Sequence, residues 1–137
     1  MKTKAKKILI VDDDPQFILL AQSRLEANDY EIQTAVNGVE AIKLAHDWQP
    51  DLVLLDMILP AMEGYDICKI LKSSEETKKI PIIILTASTK KESHAKCLSA
   101  GALVVVLKPF HPLELLALIK KAFDPNSKWR KIESAFN

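Results

Sequence analysis

The chain has 137 residues, 48% hydrophobic and 27% charged, with a net charge of +1; this is the balance of one globular domain with a substantial core. Near-neutrality gives no global electrostatic case for nucleic acid, and no apolar run approaches the roughly 20 residues that span a membrane. The basic N-terminus is followed by a short apolar stretch, Ile8 to Val11, that turns acidic at once. That is a strand rather than a signal peptide, so a cytoplasmic location is expected.

The first predicted strand covers about Lys7 to Val11 and runs into Asp12-Asp13-Asp14. Pro15 suits the first turn of a helix to about Ala27, with Phe17, Leu20, Ala21, Arg24 and Leu25 as its stripe. Asp14 is expected to serve that helix as N-cap. Glu31 to Ala35 is a weaker strand, Asn37-Gly38 a turn, and Val39 to Trp48 a helix with Ile42, Ala45 and Trp48 on related faces. Pro50 sets the start of a strand from Asp51 to Leu55, which meets Asp56. Gly64 to Lys72 is a helix with Tyr65, Cys68, Ile70 and Leu71 as candidates for burial, and 73–79 is a polar loop. Ile80 to Leu85 is a strand ending in Thr86; Lys90 to Ser99 is a helix that Gly101 stops. Leu103 to Leu107 is a strand ending in Lys108, and Pro112 to Phe123 is a helix carrying Leu115, Leu116, Leu118, Ile119 and Phe123. Asp124-Pro125-Asn126-Ser127 breaks the pattern. Residues 124–137 are therefore a tail or the start of a linker, in which Trp129, Ile132 and Phe136 have helical spacing.

This alternation predicts an α/β fold, a doubly wound five-stranded parallel sheet with helices on both faces. In such a sheet, sites form outside the carboxyl ends of the strands. Asp12, Asp13, Asp56, Thr86 and Lys108 should therefore meet at one edge, giving three carboxylates, a hydroxyl and an ammonium. Carboxylates repel one another, so their clustering makes sense around a divalent cation. Mg²⁺ takes oxygen ligands, commonly one or two carboxylates plus phosphate oxygens and water. An aspartate can accept a phosphoryl group, and Lys108 and Thr86 can bond phosphoryl oxygens. Singly, each residue has a plainer role as a cap, a solvated strand end or a surface cation. Four coincidences at four strand ends favour the joint reading over those.

Other residues carry less. Cys68 and Cys97 lie far apart and cannot alone make a tetrahedral zinc site; they read as small buried residues of a reduced protein. His46, His94 and His111 follow no ligand spacing and are read as surface or packing residues. Lys2, Lys4, Lys6 and Lys7, like Lys120, Lys121, Lys128, Arg130 and Lys131, are read as solubilising charge near the chain ends. An aspartate-nucleophile phosphatase would need a second aspartate two residues after the nucleophile, where this chain has Ile58. A flavodoxin-like cofactor binder would need a phosphate loop where Asp12-Asp13-Asp14 stands.

The segments Ile8–Asp14 (ILIVDDD), Leu54–Gly64 (LLDMILPAMEG), Pro81–Ala87 (PIIILTA) and Lys108-Pro109-Phe110 resemble, in order and placement, those of response-regulator receiver domains. These are the phosphoacceptor modules of two-component signalling. The resemblance covers about Lys7 to Phe123 and implies a flavodoxin-like sheet of strand order 2-1-3-4-5, with residues 1–123 as the receiver domain. It implies that Asp56 is phosphorylated and that Asp12 and Asp13 hold Mg²⁺, Asp13 directly and Asp12 largely through water. Asp56 and the backbone carbonyl of Ile58 would be further ligands. Thr86 would turn to the phosphoryl group and Lys108 would pair with one of its oxygens. The Lys108-Pro109 bond would be cis, and Pro60 and Gly64 would shape the loop after Asp56.

The implied donor is a sensor histidine kinase or a phosphotransfer protein. The implied chemistry is self-catalysed phosphoryl transfer and slow autodephosphorylation, not enzymatic turnover. Output would be by protein contact, to a downstream partner or in a homodimer through the last helix–strand–helix face, with no direct nucleic acid or membrane binding. Two departures stand out. The family usually carries Tyr or Phe three residues before the lysine, where this chain has Val105. Many members read Gly-Ala-Asp-Asp-Tyr where this chain reads Gly101-Ala102-Leu103-Val104-Val105. Leu103 and Val104 are then either a buried strand start or an apolar contact surface. The alternative function is a receiver-like adaptor that binds partners without phosphorylation.

Overall fold

The computed structural model describes residues 4–108 and 111–126. The expected cis bond at Pro109 and the helical spacing of Trp129, Ile132 and Phe136 lie outside these. Five strands alternate with five helices: β1 (Lys7–Val11), α1 (Pro15–Glu26), β2 (Glu31–Ala35), α2 (Gly38–Trp48), β3 (Leu52–Asp56), α3 (Gly64–Ser73), β4 (Ile82–Thr86), α4 (Lys91–Ser99), β5 (Val104–Leu107) and α5 (Pro112–Phe123). The strands form one sheet in the order β2-β1-β3-β4-β5, and every pairing is parallel. The predicted architecture and strand order are those found.

The alternation of side chains along each strand sorts the core into two layers. Ile8, Ile10, Leu52, Leu54, Ile83 and Leu85 face α1 and α5, meeting Ala21, Leu25, Leu115, Leu116, Ile119 and Ala122. Leu9, Val11, Val53, Leu55, Ile82 and Ile84 face the other way, onto Ala41 and Ala45 of α2, Ile67, Cys68 and Leu71 of α3, and Cys97 of α4. The central strands are apolar on both faces because helices cover both. Parallel strands run the same way, so every strand delivers its last residue to the same edge.

Several local expectations shift. β3 extends through Asp56, which pairs in register with Leu85, and Thr86 pairs with Leu107. β4 begins at Ile82 rather than Ile80, because Pro81 has no N–H for the ladder and the Ile80 amide is spent on Thr77 O at 3.0 Å. Asn37-Gly38 is not a free turn: Asn37 caps α2, its Oδ1 accepting from the Glu40 amide at 2.9 Å. Leu20 and Ile70, expected on buried stripes, are 56% and 41% exposed, while Ile67 is fully buried. Lys6 and Lys7 are more than solubilising charge. Their ammonium groups sit over the rings of Phe123 and Trp48, at 5.5 and 5.1 Å from the centroids, and Lys7 Nζ also donates to Trp48 O. His111 caps α5, its Nδ1 accepting from the Leu113 amide at 3.1 Å. In β5 Val104 to Val106 are half-buried and Leu107 is exposed, and Leu103 before it is half-buried too, so Leu103 and Val104 are intermediate between the two roles considered for them.

Candidate functional site

Four strand ends converge. The β1 ladder closes with the Asp12 amide donating to Ala35 O at 3.1 Å, and the chain then turns into α1. That turn is built by two aspartates in relay. Asp12 Oδ1 accepts from the Asp14 amide at 3.0 Å, and Asp14 Oδ1 caps α1 by accepting from the Gln16 amide at 3.0 Å. Asp14 thus has the capping role expected of it. Asp12 is 1% exposed and Asp13 is exposed.

Asp12, Asp13 and Asp56 each place a carboxylate oxygen within 4.8 Å of the others. Lys108 closes the cluster, its Nζ 2.5 Å from Asp12 Oδ2 and 3.7 Å from Asp56 Oδ2. The same ammonium lies 4.1 Å from the centroid of the Phe17 ring. Phe17, on the first turn of α1, therefore forms a wall of the site. From the sequence Phe17 is expected only on the helix stripe; its place three residues after Asp14 does not say which way the ring points. The Ile58 amide donates to Asp56 Oδ1 at 3.2 Å, fixing the segment whose carbonyl is the expected ligand. Thr86 is 1% exposed, and its Oγ1 accepts from the Ser88 amide at 3.1 Å. Its carbonyl accepts from the Lys108 amide at 2.8 Å, tying the ends of β4 and β5 together.

The loop after Asp56 is held by its backbone. The Gly64 amide donates to Met57 O at 2.8 Å, and Ala61 adopts a left-handed φ of 64°. An alanine there is strained. At Gly64 a Cβ would stand 2.7 Å from Asp56 O and 2.8 Å from Met57 Cα, so the start of α3 is in direct contact with the backbone that presents Asp56.

Burial pushes the Asp56 carboxyl above its ordinary value, and the Asp12 and Asp13 charges add to this; Lys108 and the Ile58 amide act the other way and are outweighed. A raised value means that the folded chain binds more protons than the unfolded chain over this range. Stability contributed by Asp56 is therefore full at low pH and is lost as pH rises through the raised value. Asp56→Asn should melt higher than the parent at pH 7 in metal-free buffer. The gap should vanish below the ordinary aspartate range. Calorimetry across pH checks this.

The donor set suits a hard divalent cation. All three side chains offer oxygen, and ligands about 2.0–2.6 Å from one ion lie at most about 4–5 Å apart, as these do. With a cation present, the remaining ammonium and hydroxyl can neutralise an anion placed between Asp56, Lys108 and Thr86.

Comparison with known proteins follows the same lines. The family model for the Response regulator receiver domain matches residues 8–120. The chain is 38% identical over 114 residues to the DNA-binding dual master transcriptional regulator RpaA of Synechocystis, covering 83% of this chain and 47% of that protein. It is 39% identical over 115 residues to the alkaline phosphatase synthesis transcriptional regulatory protein PhoP of Bacillus subtilis, covering 84% and 47%. The chain thus spans about half the length of the curated relatives it matches. Among solved structures, it resembles the chemotaxis response regulator CheY4 of Vibrio cholerae, with TM-score 0.83 and 29% identity over 88% of this chain and all of that one. It also resembles the receiver domain of the sensor histidine kinase PA1611 of Pseudomonas aeruginosa, solved with a magnesium ion coordinated in its active-site cleft. There the TM-score is 0.79 and the identity 28%, over 86% of this chain and 97% of that one.

Proposed function

The chain belongs to the response regulator receiver family, and from that premise we propose that Asp56 takes a phosphoryl group from a phosphohistidine and that the chain signals in the phosphorylated form. The observation that carries this reading is the convergence of Asp12, Asp13 and Asp56 with Lys108 in one cluster. An isolated carboxylate trio would be costly; a trio around a cation and beside an ammonium is suited to a phosphoryl group.

Asp56 supplies the attacking oxygen. Asp12, Asp13, Asp56 and the Ile58 carbonyl would hold Mg²⁺, which when bound neutralises charge on the phosphoryl oxygens. Lys108 swings between Asp12 and the phosphoryl oxygens, and Phe17 keeps its ammonium over the site. Thr86 offers its hydroxyl to a phosphoryl oxygen. Two residues after Asp56 stands Ile58, which is no acid, so hydrolysis of the acyl phosphate is slow and the chain acts as a switch rather than a turnover enzyme.

The donor is a sensor histidine kinase or phosphotransfer protein, and output is by protein contact, through a downstream partner or a second copy at α4–β5–α5. The reading assigns residues 1–123 to the receiver unit and 124–137 to a tail or the start of a linker. Among the described residues no helix is long and apolar enough to cross a membrane, and the reading assigns this segment a cytoplasmic location without membrane or nucleic-acid contact. The DNA-binding name of RpaA belongs to a protein of which this chain covers only 47%.

Incubation with acetyl phosphate tests the proposal. One phosphoryl group per chain should be taken up with Mg²⁺ and essentially none with EDTA. Mg²⁺ should also stabilise the parent, by about 2.7 kcal/mol at one hundred times its dissociation constant. Uptake unaffected by EDTA would contradict the assigned role of the acid cluster; no uptake with Mg²⁺ bound would favour the constitutive adaptor.

A further inference from the structure

His94 reaches back from the second turn of α4 to the loop that follows Thr86. Its Nε2 lies 2.7 Å from Ser88 O. A carbonyl can only accept, so this nitrogen carries the proton and donates. The same residue, Ser88, gives its amide to Thr86 Oγ1 at 3.1 Å, and its own Oγ accepts from the Lys90 amide at 3.3 Å. Thr86, Ser88 and His94 therefore form one chain of hydrogen bonds from the site to α4.

The rest of α4 is lightly held. Cys97 is its one fully buried side chain, and its N-cap Lys90 makes no side-chain cap bond. The other candidate route from Thr86 is β5, and there the geometry is poor. Val105 pairs with Ile84, is half-buried, and packs against the α2–α4 side core. A valine has one stiff torsion and no polar atom with which to follow a turning hydroxyl.

We propose that His94 is a positioning residue for the Thr86 switch, its Nε2–H holding the Ser88 carbonyl in the unphosphorylated arrangement and carrying the phosphorylated state to α4. The inference rests on the reading of Thr86 as a phosphoryl partner. When the Thr86 hydroxyl turns to a phosphoryl oxygen, the Ser88 amide loses its acceptor. The 86–88 turn then reorganises and withdraws Ser88 O from the imidazole. The loss of one neutral hydrogen bond sets the scale of the coupling, about three- to tenfold in an equilibrium constant.

Beryllofluoride with Mg²⁺, a noncovalent stand-in for the aspartyl phosphate, is the probe, and imidazole and amide NMR the readout. In the parent, a hydrogen-bonded His94 Nε2–H signal should be present in the free chain and lost at saturation. His94→Ala should bind beryllofluoride about three- to tenfold more tightly, and the amides of α4 should no longer shift on binding while those of 86–88 still do. His94→Gln, which keeps an N–H donor, should return toward the parent. A merely structural histidine would lower stability without changing affinity. The inference is overturned if the parent binds the probe with its His94 signal unchanged, or if His94→Ala keeps both the parent affinity and the α4 shifts. Failure of the parent to bind the probe at all would instead remove the phosphoacceptor reading, and this inference with it.

Discussion

A single methyl group at position 64 should slow phosphoryl uptake about a hundredfold and cost about 2 kcal/mol of stability. Gly64 opens α3, and the Cβ of Gly64→Ala would meet Asp56 O at 2.7 Å and Met57 Cα at 2.8 Å. Both are backbone atoms of the segment that presents the acceptor, so relief requires moving that segment. The Gly64 amide is bonded to Met57 O at 2.8 Å, which ties the two stretches more closely still. A displacement near 1 Å is what costs a phosphoryl acceptor its alignment. Gly101→Ala is the control. There φ is 111°, and the new Cβ would meet the Lys72 side chain rather than backbone. It should cost about 1–2 kcal/mol from the strained backbone alone, with uptake unchanged once the chain is folded. Uptake kinetics and urea unfolding on both variants separate a local effect on Asp56 from a general loss of stability.

Lys108→Met should destabilise the chain by about 3 kcal/mol at neutral pH and lower phosphoryl uptake at least a hundredfold. Lys108 and Asp12 are a largely buried pair, with side chains 16% and 2% exposed. Screening by water is correspondingly weak, and removing the cation leaves a buried carboxylate beside two others. Methionine keeps the apolar contact with Phe17, so the loss reports charge rather than packing. The sign of a second change makes the argument testable. Asp12→Asn in the Lys108→Met background should restore most of the stability and none of the uptake, because it removes the uncompensated charge but not the need for a cation at the phosphoryl oxygens. A double variant as unstable as Lys108→Met would mean that the pair contributes through something other than its charges.

The sheet was legible because its strands are short apolar runs that end abruptly in polar residues. Asp12, Asp56, Thr86 and Lys108 could each be assigned to a strand end, and parallel topology brings such ends to one edge. The misplaced boundaries have local causes. Asp56 belongs to the β3 ladder because its pairing with Leu85 continues one residue past the apolar run. Pro81 delays β4. The α1 stripe holds at Ala21 and Leu25 but was misjudged at Leu20, because Phe17 to Ala21 are all apolar and an uninterrupted run carries no helical phase; only packing shows that Leu19 and Leu20 face away from the sheet. Phe17 over Lys108 and His94 on Ser88 were beyond a sequence reading for a related reason. Each contact depends on the direction in which a side chain leaves a helix near its start, and spacing along the chain does not specify that.

Borohydride reduction of the phosphorylated chain, followed by peptide mass mapping, identifies the residue that carries the phosphoryl group. The acyl phosphate is converted to a primary alcohol at the residue that carried it. The mass change should fall on Asp56 alone and be absent from Asp56→Asn. A change on Asp12 or Asp13, or undiminished phosphoryl uptake by Asp56→Asn, would contradict the assignment of Asp56 as the acceptor.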